Sequence, residues 1–101
     1  MDPWGREAVY YESGEVDVSR AKSIVERDLR DIDGCDVLVA YLPILSAGVC
    51  MELFYAKRAG KTTIVICELK NPSPWIVAHS DRFFRSIEEF KAFLRDDLLG
   101  E

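Results

Sequence analysis

The sequence is poor in the residues from which several common kinds of site are built. It has a single histidine, His79, and three cysteines, Cys35, Cys50 and Cys67, none of them in a C-x-x-C pair. An odd number of dispersed cysteines predicts neither a disulfide framework nor a zinc site, and their apolar neighbours predict buried free thiols. One histidine cannot build a His-rich metal centre, and we expect His79 to lie in a loop rather than to act as a base.

Long hydrophobic runs and an excess of positive charge are also missing. The longest apolar run, residues 37–45, is interrupted by Pro43 and is far shorter than the roughly 20 residues of a membrane-spanning helix. No signal peptide is recognisable at the N-terminus, so we expect a cytoplasmic protein without a membrane partner. The 13 Lys and Arg are dispersed and are outnumbered by 18 Asp and Glu. Because binding to a nucleic acid backbone relies on clustered cations, nucleic acid is not an expected partner.

What is present describes one small acidic domain. The 101 residues carry a net charge of −5, and 49% of them are apolar. This length predicts a single domain over residues 1–101. A domain of this size buries only about 60–65% of the surface that its unfolded chain exposes. Because the core is thin, we expect a homodimer or a higher homo-oligomer.

The apolar pattern in the first half of the chain changes from helical to extended. Residues 19–33 have apolar residues three and four apart, which predicts an amphipathic helix that is capped by Asp17 or Ser19 and closed by Gly34. The predicted buried stripe of this helix consists of Ala21, Ile24, Val25, Leu29 and Ile32. Residues 36–42 form a nearly continuous apolar run, typical of a strand that is covered on both faces in a parallel sheet.

The second half of the chain repeats the alternation. A helix is predicted over residues 49–59 and a second buried strand over residues 62–67. Residues 71–75 contain two prolines and are expected to be irregular. Residues 82–85 are a candidate edge strand, and a capping box that starts at Ser86 opens a final helix. Helices that alternate with buried strands predict an α/β fold, a flavodoxin-like or Rossmann-like parallel sheet with flanking helices.

The loop after the first of these strands is the natural place for a ligand, because ligands of open α/β sheets bind beyond the carboxyl ends of the strands. Residues 43–48 include Ser46, whose hydroxyl can donate a hydrogen bond, and Gly48, which allows close approach to the backbone. Together with Ala47 they precede the N–H groups of the next helix, which favour a phosphate or another anion. The alternative is an ordinary α/β loop, since many such loops contain serine and glycine.

Two carboxylates occupy unusual positions. Glu52 is predicted in the first turn of the helix after Gly48, where the helix dipole favours the ionised form and a carboxylate can be a nucleophile or a base. The alternative is an ordinary acidic residue at a helix start. Asp28 stands four residues from both Ile24 and Ile32, inside the apolar stripe of its helix, where a carboxylate needs a pairing partner or a function. Two carboxylates in different environments suit the cleavage of a glycosidic bond.

Two segments of the sequence carry a fairly specific set of motifs. ERDLRDIDGCDVLVAYLP at residues 26–43 combines a helix containing Asp-Leu-x-x-Ile with an apolar strand led by Asp, and SAGVCMELFYA at residues 46–56 contains G-x-x-x-E and precedes Gly60 and Lys61. As a set they resemble the nucleoside 2-deoxyribosyltransferase family, which includes the 2′-deoxynucleoside 5′-phosphate N-hydrolases. The resemblance extends from about residue 2 to residue 94. It begins near the end of the family's second strand, so the family's first strand and its Gly-containing loop are expected to be missing.

The resemblance implies an enzyme that cleaves the N-glycosidic bond of a 2′-deoxynucleoside 5′-monophosphate or a 2′-deoxynucleoside, by hydrolysis or by deoxyribosyl transfer, without a cofactor or a metal. Glu52 resembles the family's nucleophile, which forms a covalent intermediate at C1′, and Asp28 resembles the carboxylate that assists departure of the base. Ser46 stands where the N-hydrolases carry a serine that helps to hold the 5′-phosphate and where the nucleoside transferases usually carry Asp. Ala47 and Gly48 would line the same phosphate site. Ser80 would serve the phosphate site of a neighbouring subunit.

Two further functions stay open at this point. One is a catalytically incomplete domain that binds a nucleotide or only forms oligomers, because part of the family's pocket is expected to be missing. The other is a receiver-like or flavodoxin-like signalling module, which ranks last because no acidic cluster follows a first strand. Residues 8–11 are a candidate short strand ahead of the first helix.

Overall fold

A computed structural model describes residues 17–99 of the chain, with side chains through residue 96. The chain divides into two units, residues 1–31 and residues 32–101. The candidate strand at residues 8–11 lies outside the described residues. Within residues 17–99, none of the helices combines the length and the apolar character needed to span a bilayer.

The first unit contains most of helix α1 (Val18–Asp33). Its start is capped by Asp17, whose Oδ1 accepts a hydrogen bond from the Arg20 N–H at 3.0 Å, as one of the two predicted caps. Of the predicted apolar stripe, Ile32 is buried and Ile24 is half-buried. The prediction is wrong for Val25, which is 54% exposed, because spacing marks one face of a helix but not how far a neighbouring element covers that face.

The second unit is built on a three-stranded parallel sheet in the order β1, β2, β3. The strands are β1 (Val37–Leu42), β2 (Thr62–Cys67) and β3 (Arg82–Phe84). The predictions for all three strands are confirmed to within one residue at each end, and β3 lies at an edge of the described sheet as expected. The chain is an α/β fold with a parallel sheet flanked by helices, consistent with a small flavodoxin-like or Rossmann-like fold.

Three helices follow β1. They are α2 (Ala47–Arg58), α3 (Pro74–Ala78) and α4 (Ile87–Phe93), and a π-helical segment (Leu94–Leu99) continues from α4. The prediction that residues 71–75 are irregular is wrong at their end, because Ser73 caps α3 and Pro74 occupies its first position, where a proline has no N–H to lose. The predicted capping box of α4 is confirmed by the bond from the Glu89 N–H to Ser86 Oγ at 3.2 Å.

One face of the sheet carries the core. Alternate residues of β1 and β2 pack against α2 and α3 in a cluster of buried residues. The cluster consists of Ala40, Leu42, Leu53, Val65, Cys67 and Ile76. Successive residues of a strand point to opposite faces, so the intervening residues Val37 and Val39 lie on the other face, where they are 46% and 48% exposed. The prediction that residues 36–42 are covered on both faces is therefore wrong.

The three cysteines are free thiols. The prediction of a buried thiol is confirmed for Cys67, whereas Cys35 and Cys50 are only half-buried. Burial raises the pKa of the Cys50 thiol, and the neighbouring Cys67 adds to the increase. The predicted loop position of His79 is close to what is found, since His79 directly follows α3 as its C-cap.

Candidate functional site

Ser46 lies at the carboxyl edge of the sheet, between the end of β1 and the start of α2. Its Oγ accepts a hydrogen bond from the Val49 N–H at 3.3 Å, and its carbonyl oxygen accepts one from the Cys50 N–H at 3.1 Å. With its extended backbone, Ser46 is the N-cap of α2 and is only 9% exposed. A hydroxyl oxygen that accepts one bond can still donate its own hydrogen, so capping the helix is compatible with binding an anion.

The cap at Ser46 corrects the predicted boundary between loop and helix. Ala47 and Gly48, expected in the loop, are the first two residues of α2. The reason is that the Ser46 side chain satisfies an N–H of the first turn, which allows the helix to begin ahead of Val49. The backbone N–H groups of a first turn lack intrahelical acceptors, so the preference for an anion at this place is unchanged by the correction.

The same shift moves Glu52 away from the helix start. Glu52 is the sixth residue of α2 and lies in its second turn, and no acidic residue occupies the first turn. The prediction of a first-turn position is wrong, and because the dipole effect falls off within the first turn, the dipole contributes little to the charge of Glu52. At 1.5 Å per residue, Glu52 lies about 9 Å along the helix axis from Ser46. Its side chain is half-buried.

Contacts at the two flanks of α2 show which way Glu52 faces. Gly48, Glu52 and Tyr55 are four and three residues apart and therefore share one flank. Tyr55 Oη donates a hydrogen bond to Asp33 Oδ1 at 2.7 Å, just ahead of β1, and this bond is the largest cause of the raised pKa of Tyr55. On the other flank, Lys57 contacts a residue just ahead of β3. Glu52 is therefore on the flank that faces the β1 side of the sheet.

Sequence reasoning missed a tyrosine and a glutamate at the carboxyl edge of the sheet. Tyr41, near the end of β1, donates a hydrogen bond from Oη to Glu68 Oε2 at 3.3 Å, and Glu68 directly follows β2. Desolvation raises the pKa of Tyr41, and the charge of Glu68 raises it further. A signal was present, since both residues stand at the carboxyl ends of neighbouring parallel strands, where the side chains of a site are expected.

Ser80 lies at the opposite edge of the sheet. It is two residues ahead of β3, and its Oγ donates a hydrogen bond to the Val77 carbonyl oxygen at 2.7 Å. A six-residue strand such as β2 spans roughly 20 Å, so within one chain Ser80 does not meet Ser46. The idea that Ser80 serves the site of a neighbouring subunit stays a prediction.

A charged network close to Ser80 has a structural role. Lys57 Nζ is 2.9 Å from both carboxylate oxygens of Asp81, and Asp81 Oδ2 accepts a hydrogen bond from the Thr63 N–H at 2.8 Å. The bond to Lys57 is the largest cause of the lowered pKa of Asp81, followed by the bond from Thr63. The buried Thr63 also donates from Oγ1 to the His79 carbonyl oxygen at 2.6 Å. The network joins the end of α2 to the starts of β2 and β3, away from Glu52.

Asp28 belongs to the first unit. It is half-buried on α1, as are Ile24 and Leu29 on the same helix. Asp28 is therefore covered to a similar degree as these two apolar residues. A joint role of Asp28 and Glu52 stays a prediction.

Within residues 17–99, no group of three or more His, Cys, Asp or Glu side chains is arranged to hold a metal ion. A scan against protein-family models and a search of curated proteins found no match to this chain.

Proposed function

We propose that this protein cleaves the N-glycosidic bond of a 2′-deoxynucleoside 5′-monophosphate, or of the corresponding nucleoside, through a covalent intermediate on Glu52. The observation that carries the proposal is the position of Glu52, half-buried on α2 about 9 Å along the helix axis from the Ser46 cap. The start of its helix lies at the edge where parallel sheets bind their ligands, and its flank faces the β1 side of the sheet. The resemblance of residues 26–43 and 46–56 to the deoxyribosyltransferase family supports the same assignment.

The reaction proceeds in two displacements. A carboxylate oxygen of Glu52 attacks C1′, and the electron pair of the C1′–N bond leaves with the base, which takes a proton from the solvent. Water then attacks C1′ and releases a proton to the solvent, and the C1′–O bond to Glu52 breaks, so hydrolysis consumes one water. A second base in place of the water gives transfer. Two displacements at C1′ retain its configuration.

The 5′-phosphate binds at the start of α2. The Ser46 hydroxyl donates to a phosphate oxygen while its lone pair caps the helix, and the N–H groups of Ala47 and Gly48 point to the same anion. Gly48 helps because it has no side chain to separate the phosphate from the backbone. This arrangement favours the monophosphate over the nucleoside.

Release of free base tests the proposal. The chain is incubated with 2′-deoxynucleoside 5′-monophosphates and with 2′-deoxynucleosides, and the products are separated by chromatography. Because Glu52→Gln keeps the shape of the side chain but removes the nucleophile, we expect its rate to fall by roughly 10³-fold or more. Glu26→Gln, which changes an exposed glutamate of α1, is the matched control and should keep its activity. Equal rates in the two variants would contradict the role of Glu52.

A second candidate is a domain that binds a nucleotide without turning it over. The observation that favours it is that, within the described residues, β1 has a paired strand on one side only, so these residues supply the pocket with loops from that side alone. This candidate predicts that a monophosphate raises the melting temperature while no base is released from any substrate.

A further inference from the structure

The face of the sheet that points away from α2 is covered unevenly. Its side chains form rows across the strands, and one row consists of Tyr41, Ile66 and Phe84. The ring of Phe84 packs against helix α4, with its centroid 5.7 Å from that of Phe90 and 5.3 Å from that of Phe93. Ile66, beside it, is only 4% exposed. Helix α4 therefore covers the β3 side of this face.

The cover decreases towards β1. Val37 and Val39, on the same face, are 46% and 48% exposed, and Ile64, which pairs with Val39, is half-buried. We call Val37, Val39 and Ile64 the open strip. Parallel sheets occur almost only where both of their faces are covered, usually by helices. Apolar residues of a parallel sheet that are left about half exposed therefore indicate a place for a further helix.

The dimensions of the open strip determine what fits on it. A strand of six residues, such as β1, is roughly 20 Å long, and two neighbouring strands lie about 4.8 Å apart. A helix is about 10 Å wide, and about 13 of its residues span 20 Å. The strip then has an area of roughly 200 Å², far below the about 800 Å² per partner of a standard interface. We therefore expect a weak and reversible complex.

Carboxylates lie at one end of the open strip. Tyr41 continues the strip to the carboxyl edge, where its Oη donates a hydrogen bond to Glu68 Oε2 at 3.3 Å, and Glu88 lies in the first turn of α4. Desolvation is the largest cause of the raised pKa of Tyr41, and the charges of Glu68 and Glu88 add to it. Both carboxylates therefore lie near the Tyr41 hydroxyl. Both glutamates are exposed, so a cation can reach them.

Two arginines near β3 are held in other places. The Arg82 guanidinium lies 4.9 Å from the ring centroid of Phe93, on α4. Arg85 donates a hydrogen bond from Nη2 to the Leu69 carbonyl oxygen at 2.7 Å and lies 5.9 Å from the ring centroid of Phe83, which packs against the core on the other face of the sheet. The open strip is therefore apolar along β1 and acidic at its carboxyl end.

This charge favours one kind of occupant over another. Residues 1–16 of this chain contain four carboxylates and one arginine, Arg6, so Glu68 and Glu88 would repel them. Like charges placed together across an interface are costly, whereas opposite charges select the partner and its orientation. The occupant that suits the open strip has an apolar side and cations at one end.

We propose that the open strip binds an amphipathic helix of a partner protein. The apolar side of that helix lies on Val37 and Val39, and its lysines or arginines lie over Glu68 and Glu88. Helices with one apolar side are commonly bound on apolar surfaces in this way. The strip lies on the sheet face opposite α2, so the interaction does not depend on the proposed function.

Fluorescence anisotropy with a labelled synthetic peptide and the full chain tests the proposal. The probe is an amphipathic helix of about 13 residues, with leucines three and four apart and lysines in its last turn. A second peptide carries glutamates in place of the lysines and should bind at least about tenfold more weakly, because like charges meet at Glu68 and Glu88. Binding of the lysine peptide should weaken as salt is added.

Variants of the chain locate the contact. Val39→Glu should raise the Kd of the lysine peptide at least about tenfold, because binding buries the introduced carboxylate. Val18→Glu is the matched control and should bind like the unchanged chain, since Val18 is 58% exposed in the first turn of α1, where an acidic residue is favourable. Circular dichroism checks that each variant is folded. Glu68→Gln combined with Glu88→Gln leaves the apolar residues intact and should raise the Kd about threefold or more.

Three results would overturn the proposal. One is equal binding of the lysine and glutamate peptides, and another is a Kd that neither Val39→Glu nor the double glutamine variant changes. The third is a full chain that does not bind the lysine peptide, because residues 1–16 or a second copy would then occupy the open strip. Sedimentation tells these two occupants apart, since only a second copy gives a dimer that Val39→Glu dissociates.

Discussion

Replacing Ser46 by alanine and by aspartate separates its two roles, as the cap of α2 and as a proposed phosphate contact. Ser46→Ala removes the acceptor for the Val49 N–H, a bond of 3.3 Å at a residue that is 9% exposed. Loss of an N-cap costs about 1 kcal/mol of unfolding free energy. For a domain of this size, such a loss lowers the melting temperature by roughly 4–8 °C.

Ser46→Asp keeps the cap and changes the charge. Aspartate caps a helix as well as serine does, and a negative charge suits a helix N-terminus, so we expect no loss of stability. Beside a bound phosphate the carboxylate is repulsive: two unit charges about 4 Å apart at an effective dielectric constant of 20 interact by about 4 kcal/mol. Even half of that energy exceeds a tenfold change in affinity. The KM for the monophosphate should therefore rise at least tenfold, while the KM for the nucleoside should change little.

Urea unfolding and initial rates of base release measure the two roles of Ser46. Ser86→Ala is the matched control, because Ser86 Oγ caps α4 by accepting a bond from the Glu89 N–H at 3.2 Å. It should lose a similar amount of stability without any change in KM. If Ser46→Asp destabilises the chain as much as Ser46→Ala does, the cap reasoning is refuted. If its KM for the monophosphate is unchanged, the phosphate is bound elsewhere.

Substitutions at three further positions test the fold. Leu53→Ala, at a core residue that is 1% exposed, should cost about 2–5 kcal/mol in urea unfolding, and a cost below about 1 kcal/mol would contradict the packing. Gly60 has a φ of 83° with nothing within 4 Å of an added Cβ, so Gly60→Ala should cost only the left-handed strain of about 1–2 kcal/mol, and Gly60→Asn should cost less. The bond to Lys57 lowers the pKa of Asp81 below the ordinary 3.8. The stabilisation that the ionised Asp81 carboxylate gives to the fold is therefore complete above pH 3.8, and it is lost as the pH falls through the lower pKa of the folded state. Asp81→Asn should therefore lose less stability than the unchanged chain between pH 7 and about pH 2, and equal losses would contradict this.

The strands were predictable because the apolar residues of each strand are neighbours in the sequence. Residues 37–42 are a continuous apolar run, residues 62–67 are apolar after two threonines, and each is a strand in the structure. The exposed face of β1 was not predictable, since a run of apolar residues does not tell whether other elements cover both faces of the strand. The start of α2 was placed too late because Gly48 resembles a loop residue, although Ser46 is itself a strong capping signal. The same kind of signal, Ser73 followed by Pro74, marks α3.

The contacts around the candidate site depend on the fold rather than on local pattern. Ser46 and Glu52 could be selected because they belong to one short segment after β1. The hydrogen bonds from Tyr41 to Glu68 and from Tyr55 to Asp33 join residues 27 and 22 positions apart. Such pairs become visible only when the strand order and the packing of α2 are known.

The covalent intermediate is the central claim, and mass spectrometry of the quenched reaction tests it most directly. The chain is mixed with a 2′-deoxynucleoside 5′-monophosphate, stopped in acid during turnover and digested. The account predicts that the peptide containing Glu52 gains the mass of one deoxyribosyl phosphate group, and that Glu52→Gln gains none. Base release without this adduct, or an adduct on a peptide that lacks Glu52, would contradict it.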